Sequence, residues 1–206
     1  MNLLFIQAFL FTLNQFMIFP SIFAYTSALG YSPTMAGLLL AMTPLATSIH
    51  AIIQNVWTKR SFKNPMIFGT VICIVSHILY IYAYQANSLY FLMFARFLFG
   101  LAGSKVVHRK YIANYVDKNF WNKYYTRLIY TSFAGMIVGP ICYLGCIYLT
   151  MNYTFLPPIF LMPAYFGVFT FALLFLFLLL FFRKHKYIKA SRVKPRKPPI
   201  TLLNAS

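Results

Sequence analysis

Acidic side chains are nearly missing from this 206-residue chain: Asp117 stands alone against eighteen Lys and Arg, for a formal net charge of +17. A single acid removes paired-carboxylate acid–base chemistry and most sites for hard metals, whose ligands are largely carboxylate oxygens. Cysteine is scarce as well, with three residues. Cys142 and Cys146 sit four positions apart, on one face of one helix, where no disulfide geometry is available; with Cys73 they read as small packing residues. His50, His77, His108 and His185 are too scattered for the paired spacing of a zinc or di-iron site. No Ser-His-Asp set or phosphate-cradling glycine loop occurs, so the expectation is no enzyme, no cofactor and no metal. Charged residues of either sign make up 9% of the chain, against about 25% in soluble domains. A basic nucleic-acid groove needs a folded polar surface to display its charge, and there is little such surface here.

Apolar residues are abundant instead, at 61% of the chain. Six long apolar stretches fall at about 3–28, 34–57, 66–84, 89–110, 124–149 and 159–182, each long enough to cross about 30 Å of hydrocarbon as a helix. Turn signals separate them: Gly30-Tyr31-Ser32-Pro33, Lys63-Asn64-Pro65, Gln85-Ala86-Asn87-Ser88 and Leu156-Pro157-Pro158. The expected fold is an all-α integral membrane protein of six spans over residues 1–182. A basic, proline-bearing linker or tail, expected to be disordered, follows over 183–206. The loops after spans one, three and five hold no Lys or Arg. The second loop has Lys59, Arg60 and Lys63, and the fourth is flanked by Arg109, Lys110, Lys118, Lys123 and Arg127. This alternation places the basic loops and both termini in the cytosol. The first span lacks a positive n-region and runs past the length of a leader's apolar core. The triplet Asn152-Tyr153-Thr154 falls on the opposite side, where glycosylation is topologically allowed.

Polar residues inside the spans are unevenly shared. Span one carries Asn14, Gln15 and Tyr25, and span four carries Arg96, Ser104, Lys105, His108 and Arg109, whereas span six has little beyond Thr170. Spans two and five each carry a mid-helix proline, Pro44 and Pro140. This is the internal symmetry of a 3+3 inverted repeat with spans one and four lining a central path. Arg96 lies near mid-membrane, where a charge costs about 2.5–3.5 kcal/mol or more and normally faces a bundle interior. Gly100 and Gly103 share its face and permit close approach of a neighbouring helix. Arg96 therefore either packs against backbone carbonyls or contacts an anion. Lys105 and Arg109 fall on the opposite face, one turn apart, and either snorkel to the interface or line a cavity open to the cytosol. No intramembrane carboxylate can neutralise these cations, so a bound anion is a fitting partner.

Arg96-Phe97-Leu98-Phe99-Gly100, followed by Gly103, resembles the R-x-x-x-G signature of the major facilitator superfamily's fourth helix. Gly135-Met136-Ile137-Val138-Gly139-Pro140 resembles the glycine-proline motif of its fifth. Within that superfamily, Ala86-Asn87-Ser88, Ala95-Arg96, Gly100-Leu101 and Val107-His108-Arg109-Lys110-Tyr111-Ile112 are similar to the SPX–MFS family of vacuolar phosphate transporters. Asn14, Pro20, Tyr25, Pro33, Gly37, Trp57, Ser61 and Pro65 agree in register. The resemblance implies a carrier of phosphate or a related anion in a vacuolar or other endomembrane. The candidate anion-binding residues are Lys105, Arg109, Arg96, Asn14 and Tyr25, and the structural motif of the resemblance is Arg96, Gly100, Gly103, Gly135, Gly139 and Pro140. Phe23, Ala24 and Asn114 stand where the family usually has acids, which weighs against proton coupling. An SPX domain and a second six-span half lie outside this sequence. The expectation is therefore a fragment or truncated product, or a chain that pairs with another half. A carrier half for another solute and a non-transporting membrane scaffold are the alternatives.

Overall fold

A computed structural model describes residues 2–59, 61–103, 105–152 and 157–181. The basic segment 183–206, Tyr153 and Thr154 of the glycosylation triplet, Arg60 and Ser104 lie outside the described residues. The chain forms helices α1 (Asn2–Ala28), α2 (Pro33–Trp57), α3 (Lys63–Gln85), α4 (Leu89–Leu101), α5 (Lys105–Tyr115), α6 (Trp121–Asn152) and α7 (Met162–Phe181). Helix is what such a sequence must form in lipid, because an apolar chain without water has to satisfy its own backbone groups. Among the described residues six spans are long and apolar enough to cross a membrane, α4 and α5 together making the fourth. Gly30 closes α1 with φ +77°, a backbone conformation that glycine adopts without strain, and Pro33 opens α2 at its first position.

The fourth span departs from the single helix expected over 89–110. Its first segment stops at Leu101, where the Ala102 N–H turns to Leu98 O and Phe99 O and the Gly103 N–H reaches back to Gly100 O at 3.0 Å. Its second segment runs on to Tyr115. Gly103, which the sequence marked only as a small packing residue, thus also sits where regular helical bonding is interrupted.

Packing follows one rule. α1 lies along α6, α2 along α4, α3 against α4 and α7, and α1 against α7. Exchanging spans one with four, two with five and three with six carries the α1–α6 pair onto α4–α2 and the α3–α4 pair onto α7–α1. The α3–α7 pair maps onto itself. These are the pairings that a 3+3 inverted repeat requires. Glycine sets the spacing of both long seams. A methyl on Gly135 would lie 2.7 Å from Phe9 O, and one on Gly139 would lie 2.7 Å from Leu13 O, so α6 rides directly on the α1 backbone. On the equivalent seam a methyl on Gly100 would run into Thr43 O and Ala46 Cβ of α2.

Inside the bundle, one apolar cluster gathers Phe5, Phe11, Met66, Phe99 and Phe171, with the Phe11 and Phe99 rings stacked at 4.7 Å. A second joins Ile22, Tyr25, Leu39, Tyr80 and Leu92 towards the other membrane surface. The outward faces are apolar as well. α2 presents Leu45, Ile49, Ile52 and Val56, and α6 presents Phe133, Ile137, Ile141 and Leu144 between Tyr130 and Tyr148, both 70% exposed. Water would not tolerate patches this large on a monomer; acyl chains or other apolar helices would.

Candidate functional site

The break after α4 leaves carbonyls without intrahelical partners, as every helix end does. Side chains of α2 bond carbonyls along this segment, adding to helical bonds at Arg96 O and Gly100 O and reaching Gly103 O beyond the helix end. Thr43 Oγ1 donates to Arg96 O at 3.3 Å, Thr47 Oγ1 to Gly100 O at 3.0 Å, and Gln54 Nε2 to Gly103 O at 2.6 Å. Thr43, Thr47 and Gln54 lie on one stripe because their spacing follows the helical period. The sequence reading overlooked this stripe, although polar residues repeating at four and seven positions in an apolar span were a visible signal.

The α5 segment is held from three sides. Lys110 Nζ donates to Asn55 O at 2.8 Å and to the Asn55 side-chain oxygen, covering the end of α2. Tyr125 of α6 donates its hydroxyl to Arg109 O at 3.1 Å. His108 Nε2 lies 3.1 Å from Gln7 Oε1, which can only accept, so Nε2 carries the hydrogen. Gln7 in turn donates to Met66 O at 3.1 Å and to Thr70 Oγ1 at 3.2 Å. These bonds aim Lys105 and Arg109, one helical turn apart and both exposed, into a cavity of about 240 Å³ between α1, α5 and α6. Thr12, Tyr125 and Ser132 add hydroxyls to its wall, and Phe11, Phe133 and Met136 make much of the rest apolar. Asp117, the chain's single acid, is exposed in the turn before α6. The arrangement suits one negatively charged group held by two cations, the wall hydroxyls being bonded to backbone carbonyls.

The five residues expected to hold an anion do not converge. Lys105 and Arg109 share the cavity, but Arg96, Asn14 and Tyr25 are sealed inside the bundle at 1%, 0% and 0% exposure. Tyr25 donates its hydroxyl to Tyr80 O at 2.8 Å and stacks on Phe160 at 4.9 Å, which commits it to packing. Asn14 Nδ2 donates to Leu10 O at 2.9 Å and to Thr170 Oγ1 at 3.4 Å. The Arg96 guanidinium lies 5.4 Å from the centre of the Phe99 ring. The face shared by Arg96 and the glycines divides between neighbours: Gly100 and Gly103 meet α2, while the charge of Arg96 bears on His77 and Tyr80 of α3. Gly135 and Gly139 are buried against α1, whereas Pro140 is exposed on α6.

A bundle of six spans with an inverted repeat, a broken fourth helix and a cationic cavity beside it defines a multi-pass membrane protein. The Major Facilitator Superfamily model matches residues 4–204, and the chain belongs to that family. It is 28% identical over 135 residues to an SPX domain-containing membrane protein of Arabidopsis thaliana, an alignment covering 66% of this chain and 19% of the relative. Two such proteins of rice, from Oryza sativa subsp. indica and subsp. japonica, are each 28% identical over 134 residues, covering 65% of this chain and 19% of theirs. The matched part of this chain therefore spans about a fifth of the length of these curated relatives.

Proposed function

We propose that the chain is the N-terminal six-span half of a carrier for an inorganic anion, with phosphate as the best-fitting guest, met first at the Lys105–Arg109 cavity. The observation that supports this is the pair of cations one turn apart on a single cavity, in a chain whose one acid lies in a turn. A tetrahedral oxyanion uses such donors well: the guanidinium offers two parallel N–H groups and the ammonium a point charge. A potential of 100 mV supplies about 2.3 kcal/mol per elementary charge, so uptake of an anion needs no proton-carrying carboxylate. A second six-span half, in the same or another chain, completes the path, and a vacuolar or similar endomembrane with both termini in the cytosol is the setting. The resemblance to SPX–MFS carriers supports this reading.

The test is phosphate binding to the purified chain in lipid nanodiscs, followed by flux in vesicles that also contain a second half. Losing one charge-assisted hydrogen bond of about 1.5–3 kcal/mol weakens binding roughly 10- to 150-fold. Lys105→Ala and Arg109→Ala should each do so and leave folding unchanged. Equal affinity in the native chain and the double variant would remove the proposal. A second reading, favoured by the apolar walls Phe11, Phe133 and Met136, is an organic anion on the same two cations. Competition between phosphate and benzoate for the site separates the two.

A further inference from the structure

Deep in the bundle, away from the cavity, several buried polar atoms have no hydrogen-bond partner: Asn14 Oδ1, His77 Nε2, and Nε and Nη2 of Arg96, with the Tyr80 hydroxyl facing Ser21. They come from three helices and they lie together. The Phe11–Phe99 stack fixes the level of α1 against α4. The two helices run in opposite directions, so one turn beyond that stack, on the same side, stand Asn14 and Arg96. His77 sets its ring edge-on to Phe99 at 5.3 Å, and Tyr80 follows one turn later on α3. From α7 comes Gly167, where an added methyl would strike the His77 ring and approach Asn14 Oδ1 to 2.9 Å. Both orphaned acceptors therefore abut the same bare glycine.

The hydrogen positions follow from the bonds already made. His77 Nδ1 lies 2.7 Å from Cys73 O; a carbonyl only accepts, so Nδ1 carries the hydrogen and Nε2 of the neutral ring is a bare lone pair. The Asn14 amide cannot turn over, because its Nδ2 faces Leu10 O at 2.9 Å and an oxygen there would meet another oxygen. Two acceptors thus face one spot, while Arg96 supplies two unanswered donors nearby. An anion would answer the donors and repel the lone pairs. A cation would answer the lone pairs and be repelled by Arg96. Water has two hydrogens for the acceptors and two lone pairs for the donors, and a polar site with this many partners is where internal water is retained.

We infer that the core of the bundle is a water-binding site, in which one water or a short row of waters joins Arg96 and Tyr80 to Asn14 and His77 over Gly167. The site replaces the carboxylate counter-ion that this chain does not have. It gives the Arg96 charge a local polar medium, and it adds a solvent link among α1, α3 and α4 to the direct bonds made by Gln7, Tyr25 and Ser76.

Radiolytic hydroxyl-radical footprinting of the full chain in nanodiscs tests this, because radicals formed from trapped water attack the side chains beside it. His77 and Tyr80 should be oxidised at rates within about threefold of exposed Tyr130, and at least about tenfold faster than expected from the signal of sealed Met66 after correction for intrinsic reactivity. Gly167→Ala, which sets a methyl against both acceptors, should lower the two rates at least about fivefold. Where that variant fails to fold, Asn14→Leu serves the same purpose. Ring-nitrogen NMR of His77 should show hydrogen on Nδ1 and an Nε2 that accepts from water. Native His77 and Tyr80 as silent as Met66 would overturn the inference. So would a hydrogen on Nε2, or unchanged rates in a folded Gly167→Ala chain.

Discussion

Replacing Gly139 by alanine should loosen the seam between α1 and α6, whereas the same replacement at Gly145, six residues along the same helix, should not. At Gly139 the new methyl would lie 2.7 Å from Leu13 O, 3.0 Å from Met17 N and 3.1 Å from Phe16 Cβ; at Gly145 nothing comes within 4 Å. The crowding atoms are mainly backbone, so neither helix can turn a side chain aside, and the two must separate by roughly 0.5–1 Å. A gap of that size forfeits about a quarter to a half of each contact's dispersion well along the seam. Overpacking of this kind costs about 1–3 kcal/mol. Both variants gain the same helix propensity, roughly 1 kcal/mol, from exchanging glycine for alanine, so their difference isolates the seam. Reversible unfolding of the purified chain in mixed detergent micelles, followed by circular dichroism, should place Gly139→Ala below Gly145→Ala by about 1–3 kcal/mol. A Gly135→Ala, Gly139→Ala double variant should fall short of the sum, because a separation already made for one methyl accommodates the other. Equal stability of the two single variants, or strict additivity in the double, would refute the idea that backbone contact at these glycines sets the distance between the helices.

Other substitutions probe other parts of the bundle. Gln54→Leu removes the donor to Gly103 O and should lower stability by about 0.6–1.7 kcal/mol, the range of interhelical bonds in membranes; hydrogen exchange should rise first in α5. Tyr25→Phe keeps the stack on Phe160 but loses the 2.8 Å bond to Tyr80 O, so its unfolding free energy should fall by a similar amount without loss of phosphate binding. Arg96→Leu removes a buried charge that faces no carboxylate, so no opposite charge is left stranded in the core. Thermal unfolding should show no loss, and a drop of more than about 3 kcal/mol would indicate a direct ionic partner.

The sequence was most legible where one residue's chemistry is decided by the solvent around it. Apolar runs separated by Gly, Pro and Asn could only be spans, and a lone Arg96 could only face inward. Gly100 sits in a close seam as its place beside Arg96 suggested, and Gly135 and Gly139, read in the sequence only as a motif, do so too. What escaped was apposition between distant segments. Thr43, Thr47 and Gln54 look like tolerated polar residues until the carbonyls at the end of α4 are set opposite them. His77 looks isolated until Gly167, ninety positions later, leaves room for its bare nitrogen. Asn14 and Tyr25 were assigned to a path because they are polar on span one. Helical angle alone could not say that α3 and α7 would cover that face.

The two tyrosines on the outer face of α6 fix a depth. Tyr130 and Tyr148 are eighteen positions apart, which is five whole turns on one line and roughly 27 Å along the axis. That is close to the thickness of a hydrocarbon core, and tyrosine is enriched at its two edges. The remaining turns of α6, from Trp121 onward to Tyr130, then stand among headgroups rather than acyl chains. Tyr125, Leu128, Ile129 and Ser132, which wall the cavity, straddle that boundary. The cavity that Lys105 and Arg109 line therefore opens within a hydrated layer, and under the proposed function an anion would be met there before it enters the hydrocarbon.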